Sequence, residues 1–153
     1  MASGIFNISK GAWRPLVALP AANDALIILL LKSAGLVADD TLADYADVAA
    51  ILAGASDEAD FTNYARKTLT TGITVNQDNT ANRFDVDIPD QTWTSAGGAT
   101  NNTLGKLIVA YDPDTTGGTD STLQPLAYFD FTATTDGNNL VAEINASGLM
   151  RAA

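Results

Sequence analysis

Residues 106–131 read KLIVAYDPDTTGGTDSTLQPLAYFDF, and they decide the fold class. Two runs of aliphatic, β-branched and aromatic residues, KLIVAYD and QPLAYFDF, stand on either side of PDTTGGTDST. Such runs favour strands, whereas Gly, Asp, Ser and Thr favour tight turns. The stretch therefore predicts two strands joined by a turn. Side-chain alternation along the second strand places Leu126 and Tyr128 on one face and Phe129 and Phe131 on the other.

The same succession of strand and turn extends over the chain from Tyr64 onward. Further β-rich runs are YARKTLTTGITVNQ, RFDVDI and LVAEINASGLM, and the segments that separate the runs include QDNTAN, SAGGATNNT and TATTDGNN. No helical pattern lies between these strands, which disfavours a parallel doubly wound sheet. We therefore predict a mainly β fold, an antiparallel β-sandwich or barrel with one short helix and an extended N-terminal arm.

The apolar run ALIILLL, residues 25–31, predicts a buried strand. It is far shorter than the ~20 residues that a helix needs to cross a bilayer. It follows Asn23 and Asp24 instead of a basic segment, so it does not resemble a signal peptide. We therefore expect no membrane partner.

Apolar residues recur at helical spacing over residues 41–53, which predicts a single helix of about three turns. Gly54 is a suitable end for this helix. The predicted organisation is an N-terminal arm over residues 1–23, followed by one β-rich domain over residues 24–153 that contains the helical insertion.

The composition argues against enzymatic activity. The chain has no cysteine, and so no disulfide, thiolate nucleophile or thiolate metal site. It also has no histidine, which removes the commonest metal ligand and excludes Ser-His-Asp triads. A two-carboxylate glycosidase stays formally open, but nothing singles out a pair of acids. We expect no enzymatic activity and no cofactor.

The formal net charge of −10 is unevenly distributed. Residues 1–23 contain two of the eight basic residues and none of the 18 acids. The acidic remainder disfavours nucleic acid as a partner, because phosphates are bound chiefly by Lys and Arg. The basic, acid-free start instead suits docking on an acidic or apolar partner surface, and the alternative is a frayed terminus. The predicted contact residues are Ile5, Phe6, Ile8, Lys10, Trp13 and Arg14.

Acids alternate with apolar residues in NRFDVDIPDQTWTSAGG, residues 82–98. Strand geometry turns Asp85 and Asp87 towards water and sends the intervening apolar side chains into the core. A soluble sheet face is one interpretation of this pattern, and a cation site built from the acids is the other.

A second acidic stretch begins D-x-D-x-x-G at Asp112 and Asp114 and reaches Asp120. This beginning is similar to a calcium-binding loop, but Leu123 stands where such a loop has a bidentate glutamate. The alternatives are a weak calcium site and a plain turn.

Two further features admit a binding role. Trp93 is either a ring that stacks a sugar or base, or a side chain that fills the core. The basic pair Arg66 and Lys67 predicts either the outer face of a strand or a salt bridge to a neighbouring subunit.

Several segments together resemble a family of small structural proteins of tailed-bacteriophage virions. They are ASGIFN near the start, FTNYARKTL, DIPDQTWTSAGGATNNTLGKLIVAYDPDT, and the closing GLMRA. The resemblance runs over nearly the whole chain, and its most specific part is residues 87–115.

The resemblance implies capsid decoration: a cement protein on the capsid exterior that binds the major capsid protein and stabilises contacts between its subunits. The alternative is a phage tail component or a module that binds a host glycan. No catalytic or metal-binding residue comes with the resemblance. A homo-oligomer is expected, and a trimer is favoured because the local three-fold points of a shell accept a three-fold cap.

Overall fold

The computed structural model describes residues 3–54 and 57–152, without the side chains of Trp13 and Ala152. The described residues form a mainly β fold with antiparallel sheets, as the sequence predicts. The strands are β1 (Gly4–Ile5), β2 (Ala25–Lys32), β3 (Lys67–Leu69), β4 (Thr74–Asp78), β5 (Arg83–Asp87), β6 (Gln91–Trp93), β7 (Thr103–Asp112), β8 (Gln124–Thr134), β9 (Leu140–Ala142) and β10 (Met150–Ala152). The helices are α1 (Trp13–Val17), α2 (Asp39–Ala43) and α3 (Val48–Ala53), and a 3₁₀ turn covers Asn7–Ser9.

A five-stranded sheet with the order β1-β8-β7-β2-β3 forms the centre of the molecule. Two smaller sheets, β10-β5-β4 and β6-β9, accompany it. β2 lies between β7 and β3, and its residues 25–31 are all buried. A strand that is covered on both faces needs an apolar residue at every position, and ALIILLL supplies one. The predicted buried strand is therefore confirmed.

Each face of the central sheet has its own core. Leu26, Ile28 and Leu30 of β2 pack in one core with Val86 and Trp93 of the smaller sheets. The alternate residues of β2 pack in a second core together with residues from α2 and α3. This second core contains Ile27, Leu29, Leu31, Leu42, Val48 and Ile51. The molecule is therefore built in layers, with α2 and α3 on one side of the central sheet and the small sheets, together with α1, on the other.

A β-bulge at Leu126 changes which residues of β8 share a face. Val109 pairs with Ala127, but the next residue of β7, Ala110, pairs with Pro125, so Leu126 is an extra residue on β8. As a result Leu126 lies in the first core and Tyr128 in the second. The predicted shared face of Leu126 and Tyr128 is therefore wrong.

The helical insertion contains two helices instead of the single helix predicted over residues 41–53. α2 ends at Ala43, and α3 begins only at Val48. Asp47 causes the new start, because its side chain accepts a hydrogen bond of 2.7 Å from the backbone N–H of Ala50. This is the N-cap geometry that aspartate favours. No helix in the described part of the chain is long and apolar enough to cross a membrane.

The described part of the N-terminal segment is folded against the body and is not an extended arm. β1 pairs antiparallel with β8 at Ala127 and Tyr128. The Phe6 ring is fully buried and contacts the Tyr128 ring edge to face, with ring centroids 5.3 Å apart. The Ser9 hydroxyl donates a 2.6 Å hydrogen bond to the carbonyl oxygen of Pro125. The first residues therefore complete the sheet and the second core.

Candidate functional site

Helix α1 packs against the face of the β4–β5 hairpin that carries Phe84 and Val86, and it positions Arg14 there. The Arg14 guanidinium carbon lies 4.7 Å from the centre of the Phe84 ring. Its Nη2 atom donates a 2.8 Å hydrogen bond to the side-chain oxygen of Gln77 on β4. Val75, two residues earlier on the same strand, is 38% exposed. We call this region the α1–β4 surface, and its residues are Arg14, Leu16, Leu19, Val75 and Gln77.

Two clefts border α1 on this surface. One has a volume of about 390 Å³ and is lined by Arg14, Gln77, Phe84 and neighbouring polar residues. The other has a volume of about 310 Å³, and Leu19 and Val75 are among its lining residues. The surface therefore combines a positioned cation with two clefts that are lined by both polar and apolar residues, which suits contact with another protein.

The other predicted contact residues are distributed differently. Ile8 is 51% exposed, and Lys10 is also exposed. Ile5 is half-buried, while Phe6 has no exposed surface and cannot serve as a contact. The prediction for Phe6 is therefore wrong, because the side chain fills the protein's own core. The side chain of Trp13 lies outside the described residues.

Asp85 and Asp87 do not form one solvated row. Asp85 is the cross-strand neighbour of Arg151 and lies between two cations, 2.6 Å from Arg151 Nε and 2.9 Å from Arg83 Nε. The hydrogen bond from Arg151 holds the pKa of Asp85 below its ordinary value. Asp87 is exposed and accepts a hydrogen bond from the backbone N–H of Ile88. Asp85 thus joins β5 to β10, and only Asp87 faces water as predicted.

The acids of the β7–β8 connection stabilise the connection itself. Asp112 is buried and accepts a hydrogen bond from the backbone N–H of Asp114. Asp114 in turn accepts hydrogen bonds from the backbone and hydroxyl of Thr116. Asp120 instead binds Arg66. No group of three or more acidic side chains in residues 3–54 and 57–152 is arranged to hold a metal ion.

Arg66 joins the nearby Glu58 to Asp120, which is distant in sequence. Its guanidinium makes a two-point contact with Glu58, through Nε at 2.8 Å and Nη2 at 2.6 Å. It makes a second two-point contact with Asp120. The hydrogen bonds that Arg66 donates to Glu58 and Asp120 raise the pKa of Arg66, and the bond from Arg66 lowers the pKa of Asp120. The predicted exposed or inter-subunit role of Arg66 is therefore replaced by an internal ion-pair network.

Trp93 is a core residue and offers no ring face to a ligand. Only 1% of its surface is exposed. Its indole N–H donates a 2.8 Å hydrogen bond to the carbonyl oxygen of Ala65. The Lys67 ammonium lies 5.1 Å from the ring centre and donates to the carbonyl oxygen of Thr92. The ligand-stacking interpretation is wrong because the protein itself covers the ring.

Sequence reasoning missed a buried cation, Lys106. Its side chain is completely buried, and its Nζ atom lies 2.6 Å from Asp130 and 2.8 Å from Asp39. It also lies 5.1 Å from the centre of the Tyr128 ring. Burial disfavours the charged amine, but the hydrogen bonds to Asp130 and Asp39 outweigh that effect and raise the pKa of Lys106. A lysine inside an otherwise apolar strand is the signal that identifies such a position.

Comparison with family models, curated proteins and solved structures finds no match to this chain. The chain's own surface and the sequence resemblance are therefore the indications of its function.

Proposed function

We propose that this protein is a structural component of a tailed-bacteriophage virion, a cement protein that attaches to the outer surface of the capsid. In this role it binds the major capsid protein, stabilises contacts between capsid subunits and associates with copies of itself. It acts by binding and not by catalysis. The resemblance of residues 87–115 to virion structural proteins supports the assignment.

The position of a basic side chain, Arg14, beside the exposed apolar side chain Val75 is the observation that carries the proposal. Arg14 projects from an acid-free segment of a chain whose net charge is −10. Phe84 and Gln77 hold its guanidinium in place, so little side-chain freedom is lost when it meets an acidic group. Val75 adds apolar area beside it, and burial of such a side chain contributes roughly 1.5–3 kcal/mol. We assign the capsid contact to the α1–β4 surface.

The test uses capsids that lack the protein and purified protein added back at increasing concentration. Val75→Asp is expected to weaken attachment by about tenfold or more, because it replaces apolar contact with a charge. Arg14→Glu is expected to act in the same direction. Val141→Asp is the matched control, since Val141 is similarly exposed, at 42%, but lies on β9.

The outcomes test the capsid role and the assigned surface separately. No attachment of the wild-type protein to capsids would refute the capsid role. Attachment of wild type, Val75→Asp and Val141→Asp at equal occupancy would refute the assigned surface. Copy number distinguishes head from tail, because hundreds of copies in each virion indicate shell decoration, whereas a handful indicates a tail component.

A further inference from the structure

Strand β8 has an outer edge that β1 covers only in part. β8 runs over Gln124–Thr134, while β1 pairs only with Ala127 and Tyr128. Past this pairing, the side chains of Phe129 and Phe131 are half-buried and border a cleft of about 260 Å³. We call it the β8 cleft, and its large apolar lining residues are Leu107, Phe129, Phe131, Ile144 and Leu149.

The charged side chains that line the β8 cleft are acidic. Asp130 stands on β8, and Glu143 stands on the segment after β9. No basic side chain lines the cleft in the described part of the chain. Because Asp130 is already paired with Lys106, Glu143 is the acid that the proposed contact uses. An apolar cleft with this acid at its side favours an occupant that has an apolar side chain and a nearby cation.

The same chain presents such a pair of residues at Ile8 and Lys10. Ile8 is the most exposed of the large hydrophobic residues that the structure describes. Its two neighbours are anchored: Asn7 donates to the carboxylate of Asp44, and Ser9 donates to Pro125. The 3₁₀ turn therefore holds Ile8 outward in a defined position, which reduces the entropy lost on binding.

We propose that Ile8 of one copy inserts into the β8 cleft of a second copy, with Lys10 beside Glu143 of that second copy. The inference rests on the self-association included in the proposed function, and it uses a surface separate from the α1–β4 surface. The contact joins two different patches, so it is heterologous and closes into a ring when the rotation between copies permits.

Sedimentation velocity of the full chain over a range of concentrations tests the contact. Ile8→Asp is expected to weaken self-association by about tenfold or more, because a charge replaces the inserted side chain. Lys10→Glu and Glu143→Lys are each expected to weaken it, and the double variant Lys10→Glu/Glu143→Lys is expected to recover association. Val75→Asp is the control and should associate like the wild type. Circular dichroism verifies that each variant is folded.

The outcomes separate this inference from the capsid role. Wild-type protein that stays monomeric at every concentration but still attaches to capsids would overturn the inference and leave capsid binding intact. Self-association that Ile8→Asp leaves unchanged would overturn the assigned contact. Loss of association in both single charge variants without recovery in the double variant would overturn the pairing of Lys10 with Glu143.

Discussion

The ammonium nitrogen of Lys106 lies 2.8 Å from a carboxylate oxygen of Asp39, and this ion pair joins strand β7 to the first residue of helix α2. Asp130 on β8 provides the second carboxylate at 2.6 Å. Because Lys106 is completely buried, these two acids replace the water that would otherwise solvate the ammonium group.

Removing one of these acids should destabilise the fold. Asp39→Asn is expected to lower the free energy of unfolding by about 1.5–3 kcal/mol, the usual contribution of a hydrogen bond to a charged group. Asp39→Asn/Asp130→Asn should cost about 3–5 kcal/mol, because it leaves a buried cation unpaired. Urea unfolding measures both values. Asp40→Asn is the control, because Asp40 is the exposed neighbour of Asp39. Equal effects of Asp39→Asn and Asp40→Asn on the free energy of unfolding would contradict the prediction.

Stability should decline in alkali. Burial, together with a hydrogen bond to Asp24, raises the pKa of Tyr111 to about 12, and the pKa of Lys106 is also raised. The folded state therefore holds these protons more tightly than the unfolded chain, whose tyrosine pKa is about 10. The resulting stability is fully present below about pH 10 and is lost as the pH rises through the folded-state values. Urea unfolding from pH 8 to 12 checks this, and Tyr111→Phe should make the decline shallower. A free energy of unfolding that stays constant over this range would rule the linkage out.

Phe6 and Ile8 should respond very differently to truncation although they are close in sequence. Phe6→Ala is expected to lower the free energy of unfolding by about 3–5 kcal/mol, because it opens a cavity in the second core. Ile8→Ala should change it by no more than about 0.5 kcal/mol, since Ile8 is half-exposed. Thermal and urea unfolding measure both variants. Similar stability of the two would show that the N-terminal segment does not pack as described.

Trp93 should prove necessary for stability. Trp93→Ala is expected to cost about 3–5 kcal/mol through loss of core packing. Trp93→Phe should cost less, because the ring is kept and mainly the hydrogen bond to Ala65 is lost. Urea unfolding ranks the two variants against wild type. If Trp93→Ala unfolds at the same urea concentration as wild type, the buried position is incorrect.

Arg66→Lys should be destabilising although it preserves the charge. An ammonium group cannot reproduce the two planar two-point contacts with Glu58 and Asp120, and a loss of about 1.5–3 kcal/mol is expected. Arg14→Lys is the matched control, because Arg14 is exposed and donates to the neutral Gln77. Chemical unfolding of the two variants gives the comparison. Equal stability of both would indicate that the network around Arg66 contributes nothing measurable.

The features that were predictable from sequence are the local ones. The buried strand β2 follows from a continuous apolar run, and β5, β7 and β8 follow from short β-rich runs between turn-forming residues. The break between α2 and α3 was missed, because the helical spacing continues across Asp47 while its side chain caps a new helix. The facing of Leu126 was missed because a single extra residue shifts the alternation.

The candidate contact surfaces depend on contacts between strands that are distant in sequence, and the local sequence pattern does not predict such contacts. In the sequence, Phe6 looks like an exposed apolar contact residue. The pairing of β1 with β8 buries Phe6 and leaves Ile8 exposed. Lys106 has no nearby acid in sequence, since Asp39 and Asp130 come from distant segments. Arg14 is a candidate contact from sequence because a basic, acid-free start in an acidic chain is visible in composition alone, and its contact role stays a prediction.

The pairing of β1 with β8 also has a consequence for synthesis on the ribosome. β1 is synthesised long before its partner residues 127–128. β2 is likewise made before β7, so its uninterrupted apolar sequence has no long partner strand until residues 103–112 are synthesised. Such non-local pairing slows folding and prolongs the lifetime of aggregation-prone intermediates that expose apolar surface. The nascent chain is therefore expected to need chaperone shielding of residues 25–31 until β7 emerges.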